Sequence, residues 1–279
     1  MTLAAQPVRP NPAKVMGVIN TTPDSFSDGG RFTDFDAALA QARRLIAEGA
    51  DMLDVGGEST RPGAQVVPEA VEMERVVPLI QAIRAESAIP ISIDTMKPAV
   101  ARAAVAAGVA MWNDVTALRH APESLAAAAE LGCEVVLMHM QGEPQTMQAE
   151  PHYDDVVAEV AVFLGERAQA AMAAGVAQEK IWLDPGVGFG KHMIRHNLPL
   201  LAGLDAIVAL GFPVLLGVSR KSFISAVDGG GVSADERLGG SIAGALWGAQ
   251  AGVAAVRVHD VRQTVQALRV WQAIAAART

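Results

Sequence analysis

Eight short apolar runs rich in β-branched residues recur along the chain, at 15–20, 52–55, 91–94, 110–113, 135–139, 181–184, 214–217 and 254–258. None alternates strictly between apolar and polar positions, as expected of parallel strands buried on both faces. Ala-rich segments with helical spacing lie between them. Over 36–48, Leu39, Ala42, Leu45 and Ile46 share one face while Arg43, Arg44 and Glu48 point away. Further helices are predicted near 68–86, 98–107, 123–131, 154–174, 197–209, 236–251 and 261–276. Gly49, Gly108, Gly132, Gly175, Gly211 and Gly252 follow the last apolar turns, where helix C-termini prefer glycine. Eight strands alternating with eight helices predict an α/β fold, a closed (β/α)8 barrel of the TIM type. The rival is an open doubly wound sheet, which usually carries a phosphate-binding glycine turn after its first strand. The chain reads INTTPDSFSDGG there, with the wrong glycine spacing.

Composition narrows this further. With 279 residues, 51% hydrophobic and 19% charged, and no Pro-rich or Ser-rich linker, one domain over 1–279 is expected, with 1–13 as a flexible N-terminal extension. The opening MTLAAQPVRPNPAK has three prolines and no continuous apolar core, so neither a signal peptide nor an anchor is expected. The uncharged stretch 238–256 is dotted with glycines and is read as a small-residue helix followed by a buried strand. A formal net charge of −8 speaks against nucleic acid or an anionic membrane as the main partner. The single cysteine, Cys133, excludes an internal disulfide, favours a reducing, cytoplasmic compartment and is read as a small buried hydrophobe.

Polar residues stop every apolar run. Asn20 ends the first, Asp54 the second, Asp94 the third, Asn113 and Asp114 the fourth, His139 the fifth and Asp184 the sixth. Ser219, Arg220 and Lys221 follow the seventh, and Arg257 and His259 close the eighth. In a barrel these ends face one mouth, where active sites of this fold lie. Any one Asp or Asn could simply cap the next helix, and Asp114 and Asp260 are read that way; eight ends together are read as a site. Buried acceptors such as Asp94, Asn113 and Asp184 need a cation or a donor-rich ligand. Lys221, Arg257 and His259, near the start of the last helix, suit an anion. The site is therefore expected to be split between a donor-rich heterocycle and a phosphate. The loops 21–33 and 56–68 are long and turn-rich, and are candidate lids.

Other signals are weaker. Gly186, Gly188 and Gly190 lack dinucleotide-fingerprint spacing. His192 and His196 lie four apart without a Glu-bearing zinc motif. His139 fits either a ligand or base, or a hydrogen-bonded structural histidine.

The blocks MGVINTTPDSFSDGG, DVGGESTRPGA, SIDT, WNDV, LMHMQGEPQTMQ, LDPGVGFGK, GVSRKSF and RVHDV occur in order from Lys14 to Ala273. With them the chain closely resembles the dihydropteroate synthases. That family condenses 6-hydroxymethyl-7,8-dihydropterin diphosphate with para-aminobenzoate, releasing diphosphate. The resemblance implies a pterin wall of Asp94, Asn113 and Asp184, with Lys221 on the pterin carbonyl and ring nitrogen, Met138 lining the pocket and Arg257 stacked on the ring. It implies Asn20 as protein ligand to Mg2+, and Arg61, Arg257 and His259 as a diphosphate clamp. Phe26, Thr60, Pro62, Phe189 and Ser222 are expected around the aminobenzoate. Lys221, Arg257, His259 and Asp94 are the residues it places nearest the chemistry. It further implies a homodimer formed through the last two helices. Two departures stand out, an extra residue in KHMIRHN and Val187 where a bulkier residue is frequent, both expected near the aminobenzoate mouth. The alternatives are a pterin-binding methyltransferase barrel, which has no use for a diphosphate clamp, and a non-catalytic paralogue, which typically loses the charged site residues.

Overall fold

All eight predicted strands form, in a computed structural model that describes residues 13–21, 31–59, 64–143 and 146–277, with 31–34 as backbone alone. They are β1 (Lys14–Asn20), β2 (Met52–Gly56), β3 (Ile91–Asp94), β4 (Met111–Asp114), β5 (Glu134–Met138), β6 (Ile181–Asp184), β7 (Leu215–Gly217) and β8 (Ala255–Val258). Neighbours pair in parallel in the order β6-β5-β4-β3-β2-β1-β8-β7. A parallel bridge between Leu183 and Val214 joins β6 to β7 and closes the ring. The result is a (β/α)8 barrel.

The helices among the described residues are α1 (Arg31–Ala47), α2 (Glu69–Glu86), α3 (Pro98–Ala106), α4 (Ser124–Leu131), α5 (Val156–Ala173), α6 (Asn197–Ala202), α7 (Leu204–Val208), α8 (Ser222–Val227), α9 (Leu238–Ala251) and α10 (Val261–Ala276). They differ from the predicted eight in two places. The single helix expected over 197–209 breaks at Gly203. A Cβ there would come within 2.9 Å of both Val157 methyls, so the break lets the chain press against α5. The second difference, α8, is a six-residue helix too short to show a period. All six glycines expected to stop helices have positive φ, from 58° to 109°, a conformation that carries little penalty only without a Cβ.

Successive strand residues point to opposite faces, and both faces are apolar. The outward set (Val55, Ile93, Trp112, Leu137, Leu183, Leu216 and Val256) packs under the helices with Leu45, Ile80, Val100 and Leu164. Each such side chain taken fully from water contributes about 1.5–3 kcal/mol. The inward set forms a separate floor of Met16, Met52, Met111, Val136, Trp182, Leu215 and Ala255. This double burial explains the missing alternation. One step of two residues above that floor, the inward positions become Val18, Asp54, Asn113, Met138, Asp184, Gly217 and Arg257, with Asp94 on β3. A dry floor thus carries a polar storey at the C-terminal ends of the strands. Cys133 is half-buried and packs on the rim of the outer core. No described helix is long and apolar enough to cross a membrane.

Candidate active site

Strand register sets the polar storey. Asp94 lies opposite Asn113, Met138 opposite Asp184 and Gly217 opposite Arg257. Arg257 reaches across the barrel mouth, donating from Nε to Asp54 Oδ2 at 2.6 Å and from a terminal nitrogen to Asp94 Oδ2 at 2.8 Å. Asp54 Oδ2 also accepts from Asn113 Nδ2 at 3.2 Å. Asp54 is fully buried, and Asn113 and Asp184 are nearly so. Burial pushes the Asp94 carboxyl up to about 7 against the pull of Arg257, and the neighbouring Asp54 adds to the rise. Burial likewise raises Asp184, which the Gly186 N–H (2.7 Å) and the Lys221 charge oppose. The Lys221 ammonium lies 4.1 Å from the centre of the Phe189 ring and is pushed down to about 8 by burial, with Asp184 holding it up. Three strand-end acids therefore surround two cations in one low-dielectric cup.

One side of the cup, at the ends of β3 to β6, is apolar. Met138 packs with Val115, Met140 and Met147, against which Met96 and Phe189 rest. Asn20 ends β1 opposite Gly56, partly exposed. His259 follows β8; its backbone N–H donates to Ser219 Oγ, which also lies 3.1 Å from His259 Nδ1. That oxygen can accept a second proton or donate its own, so the contact holds the imidazole ring in place with either nitrogen protonated. Burial, then the Arg257 charge, lower His259 to about 4, so it is neutral at pH 7. Ser222 opens α8 and is exposed. Phe26, Thr60, Arg61 and Pro62 lie outside the described residues, as do most of the loop 21–33 and the tip of the loop 56–68.

Several sequence expectations change. Asp114 does serve its own loop, accepting from Thr116 N, Thr116 Oγ and Leu118 N. Asp260 does not: it occupies the N-cap position of α10 without a side-chain cap bond, and both carboxylate oxygens instead take Arg220, at 3.1 and 2.7 Å. Arg220 holds φ 60°, rare for a residue with a Cβ. Its pairing with Asp260 ties the β7 loop, which carries Lys221, to the β8 loop, which carries His259. Val187, expected at the aminobenzoate mouth, is buried in the outer core.

Sequence reasoning missed two further groups. Lys191 is fully buried, its ammonium donating to the carbonyls of Gly186 and Phe189 and lying 2.8 Å from His139 Nδ1. Burial lowers Lys191 to about 7 and His139 to about 3, so His139 is a neutral acceptor in a structural contact. This strut explains the glycines of DPGVGFGK: a Cβ on Gly186 would sit 1.9 Å from the His139 carbonyl oxygen, where the loop crosses β5. The second group is Lys97, which donates to Glu58 (2.5 Å), Glu72 (2.5 Å) and the Val67 carbonyl (2.7 Å). It pins both feet of the loop beyond β2. The available signal was a charged residue inside the motif LDPGVGFGK for Lys191 and one just beyond SIDT for Lys97.

This cup fits a family of known proteins. The family of pterin binding enzymes matches residues 16–259. The dihydropteroate synthase of Haemophilus influenzae is 46% identical over 262 residues, covering 94% of each chain. The Xanthomonas albilineans dihydropteroate synthase solved with 4-aminobenzoic acid has a TM-score of 0.89 and 52% identity, over 94% of this chain and 93% of that one. The same organism's enzyme in complex with 7,8-dihydropteroate has a TM-score of 0.85 and 49% identity, over 94% of each. The chain belongs to the pterin-binding enzymes, among the dihydropteroate synthases.

Proposed function

We propose that this protein condenses 6-hydroxymethyl-7,8-dihydropterin diphosphate with para-aminobenzoate to give 7,8-dihydropteroate and diphosphate. The observation that carries the reading is the polar storey, in which Asp94, Asn113 and Asp184 offer acceptors to one pocket while Lys221 and Arg257 border it. A pterin edge presents adjacent ring N–H and amino donors, which suit a buried carboxylate such as Asp184. Lys221 suits the ring's acceptors, and Met138 with its methionine neighbours suits the ring face. At the anion end, Arg257 and the neutral His259 ring face the leaving group in this reading, joined by Arg61. Breaking the C–O bond sends its electron pair to the diphosphate oxygen and leaves a cationic methylene conjugated with the pterin. The aminobenzoate nitrogen then forms the C–N bond and releases a proton, so no covalent enzyme intermediate is required. Phe189 and Ser222, with Phe26, Thr60 and Pro62, are assigned to the aminobenzoate.

Mg2+ belongs to this proposal through Asn20. A single amide oxygen at the rim, with no ready group of three His, Cys, Asp or Glu side chains among the described residues, suits an ion that keeps most of its waters and shares diphosphate oxygens. When bound it would offset charge on the departing diphosphate. A homodimer through α9 and α10 is supported by Trp247, Val270 and Ile274, large apolar side chains about half exposed on those helices, and cytoplasmic placement by the lone cysteine.

The test is an assay of diphosphate release that requires both substrates and Mg2+. No release with all three present, or a release rate and product that aminobenzoate leaves unchanged, rejects the reading. The same assay has an expected pH dependence. Asp94 must be ionised to accept, and it loses its proton near 7; Lys221 must be charged to donate, and it loses its proton near 8. The value of kcat/KM for the pterin substrate therefore peaks between those values and falls on both sides. His259, neutral throughout, adds no limb. A profile flat across both values contradicts the assignment.

A further inference from the structure

We propose that Asp54, to which no role was assigned from the sequence, is a positioning residue that fixes both the guanidinium of Arg257 and the amide orientation of Asn113. The inference rests on the reading that Arg257 and Asn113 face the pterin. One oxygen, Asp54 Oδ2, accepts from Arg257 Nε at 2.6 Å and from Asn113 Nδ2 at 3.2 Å. Each contact removes a degree of freedom. The Arg257 bond fixes the guanidinium plane between two walls of the barrel, with Asp54 on β2 and Asp94 on β3. The Asn113 bond turns Nδ2 toward Asp54 on β2, so Oδ1 is the end directed away from it. Asn113 then matches Asp94 and Asp184 as an acceptor, and the wall suits a donor-rich ring edge.

Stability alone does not account for this carboxylate. Asp54 is fully buried, and its Oδ1 has no hydrogen-bond partner among the described residues. Desolvating an ion costs several kcal/mol, and a buried ion pair replaced whole by apolar residues of similar volume often leaves stability no lower. Asp94 could by itself supply Arg257 with a counter-charge. A second acid below it adds orientation, since a guanidinium held from two directions is preorganised before substrate arrives. The groups that act on Asp94 are Arg257 from β8, Asp54 from β2, Glu72 from α2 and Asp114 from β4. Of these, Asp54 and Arg257 also touch each other.

Two substitutions in the full-length enzyme separate positioning from mere structure. Asp54→Leu removes both contacts, and kcat/KM for the pterin diphosphate is expected to fall by about tenfold to a hundredfold. The KM for aminobenzoate should stay within about twofold, because Phe189 and Ser222, the described residues assigned to it, share no hydrogen bond with Asp54. Asp54→Asn keeps an acceptor for both partners and should recover most of that loss. It also removes a like charge that raises Asp94, so the acid limb of the pH profile should move below its wild-type position. That limb reads the Asp54 charge acting on Asp94, whereas the split between the parameters of the two substrates reads positioning. Should the leucine variant fail to fold, Asp54→Asn and a measurement on wild type decide the matter. In 15N-arginine spectra of wild type, one Nε–H signal absent from Arg257→Lys should be strongly protected from solvent exchange. Full kcat/KM in Asp54→Leu, an unmoved acid limb in Asp54→Asn, or an Arg257 Nε–H exchanging at the solvent rate would each overturn the assignment. If wild type itself releases no diphosphate with both substrates, the proposed function fails instead.

Discussion

Asp184→Asn is expected to lower affinity for the pterin diphosphate by at least a hundredfold while leaving the barrel intact. The reason lies in how the carboxylate is already used. One oxygen accepts the Gly186 N–H at 2.7 Å, which orients the loop beyond β6, and the group as a whole is nearly buried. Asparagine offers a single acceptor oxygen. If that oxygen keeps Gly186, the amide NH2 turns toward the donors of the pterin edge; if it turns to the pterin, the NH2 meets the Gly186 N–H. Either way two donors face each other in a dry cup. A lost charge-assisted hydrogen bond costs about 1.5–3 kcal/mol, and an unsatisfied buried group about 1–3 more. Together these approach two powers of ten or beyond. The variant also removes the negative charge that helps Lys221 stay protonated, so the alkaline limb of the pH profile should move down. Calorimetric titration with the pterin diphosphate reads the first effect, and wild-type affinity there would remove Asp184 from the pterin wall.

The strands that carry this residue were legible because each apolar run ends abruptly in a polar side chain, and the barrel aligns those ends at one mouth. What periodicity could not show is which ends touch. Arg257 reaches Asp54 and Asp94 across 203 and 163 residues of sequence, and only closure of the β1–β8 seam makes them neighbours. Asp54 was visible as a strand end but gave no sign that it would bind a cation. Asp260 shows the converse: it stands at the start of α10, as a cap would, but Arg220 captures its carboxylate. Lys191 was hidden for another reason. A lysine after a glycine-rich loop ordinarily reads as solvated, yet here the loop turns two of its own carbonyls inward, those of Gly186 and Phe189, and the ammonium satisfies both together with His139 beyond β5. The resemblance carried further than periodicity, since it named Met138, Phe189 and Ser222, whose residue types alone suggest only packing or a loop.

Lys97→Met should strongly destabilise the fold and free the loop beyond β2. Lys97 is nearly buried, and it sits between Glu58 and Glu72, each at 2.5 Å and each almost inaccessible. Burial works against its charge, but hydrogen bonds to Glu58 and Glu72 outweigh that, and its pKa is raised. Removing the ammonium leaves two acids facing one another without water, and Glu72 Oε1 already lacks a hydrogen-bond partner among the described residues. Breaking such a group from one side costs about 3–5 kcal/mol, which for a chain of this size lowers Tm by roughly 10 °C. The effect should also reach catalysis. Glu58 Oε1 accepts the Val67 N–H at 2.9 Å, and Lys97 holds the Val67 carbonyl, so both feet of the loop bearing Thr60, Arg61 and Pro62 lose their anchor. Turnover should therefore fall more than pterin affinity, because the pterin wall is built on other strands. The triple variant Lys97→Met/Glu58→Gln/Glu72→Met removes all the buried charge together. It should recover most of the lost stability without recovering turnover, since the loop remains unpinned. Thermal melts and steady-state kinetics on the pair separate the two effects, and a Lys97→Met enzyme that melts and turns over like wild type would mean that this buried ion pair neither holds the fold nor positions the loop.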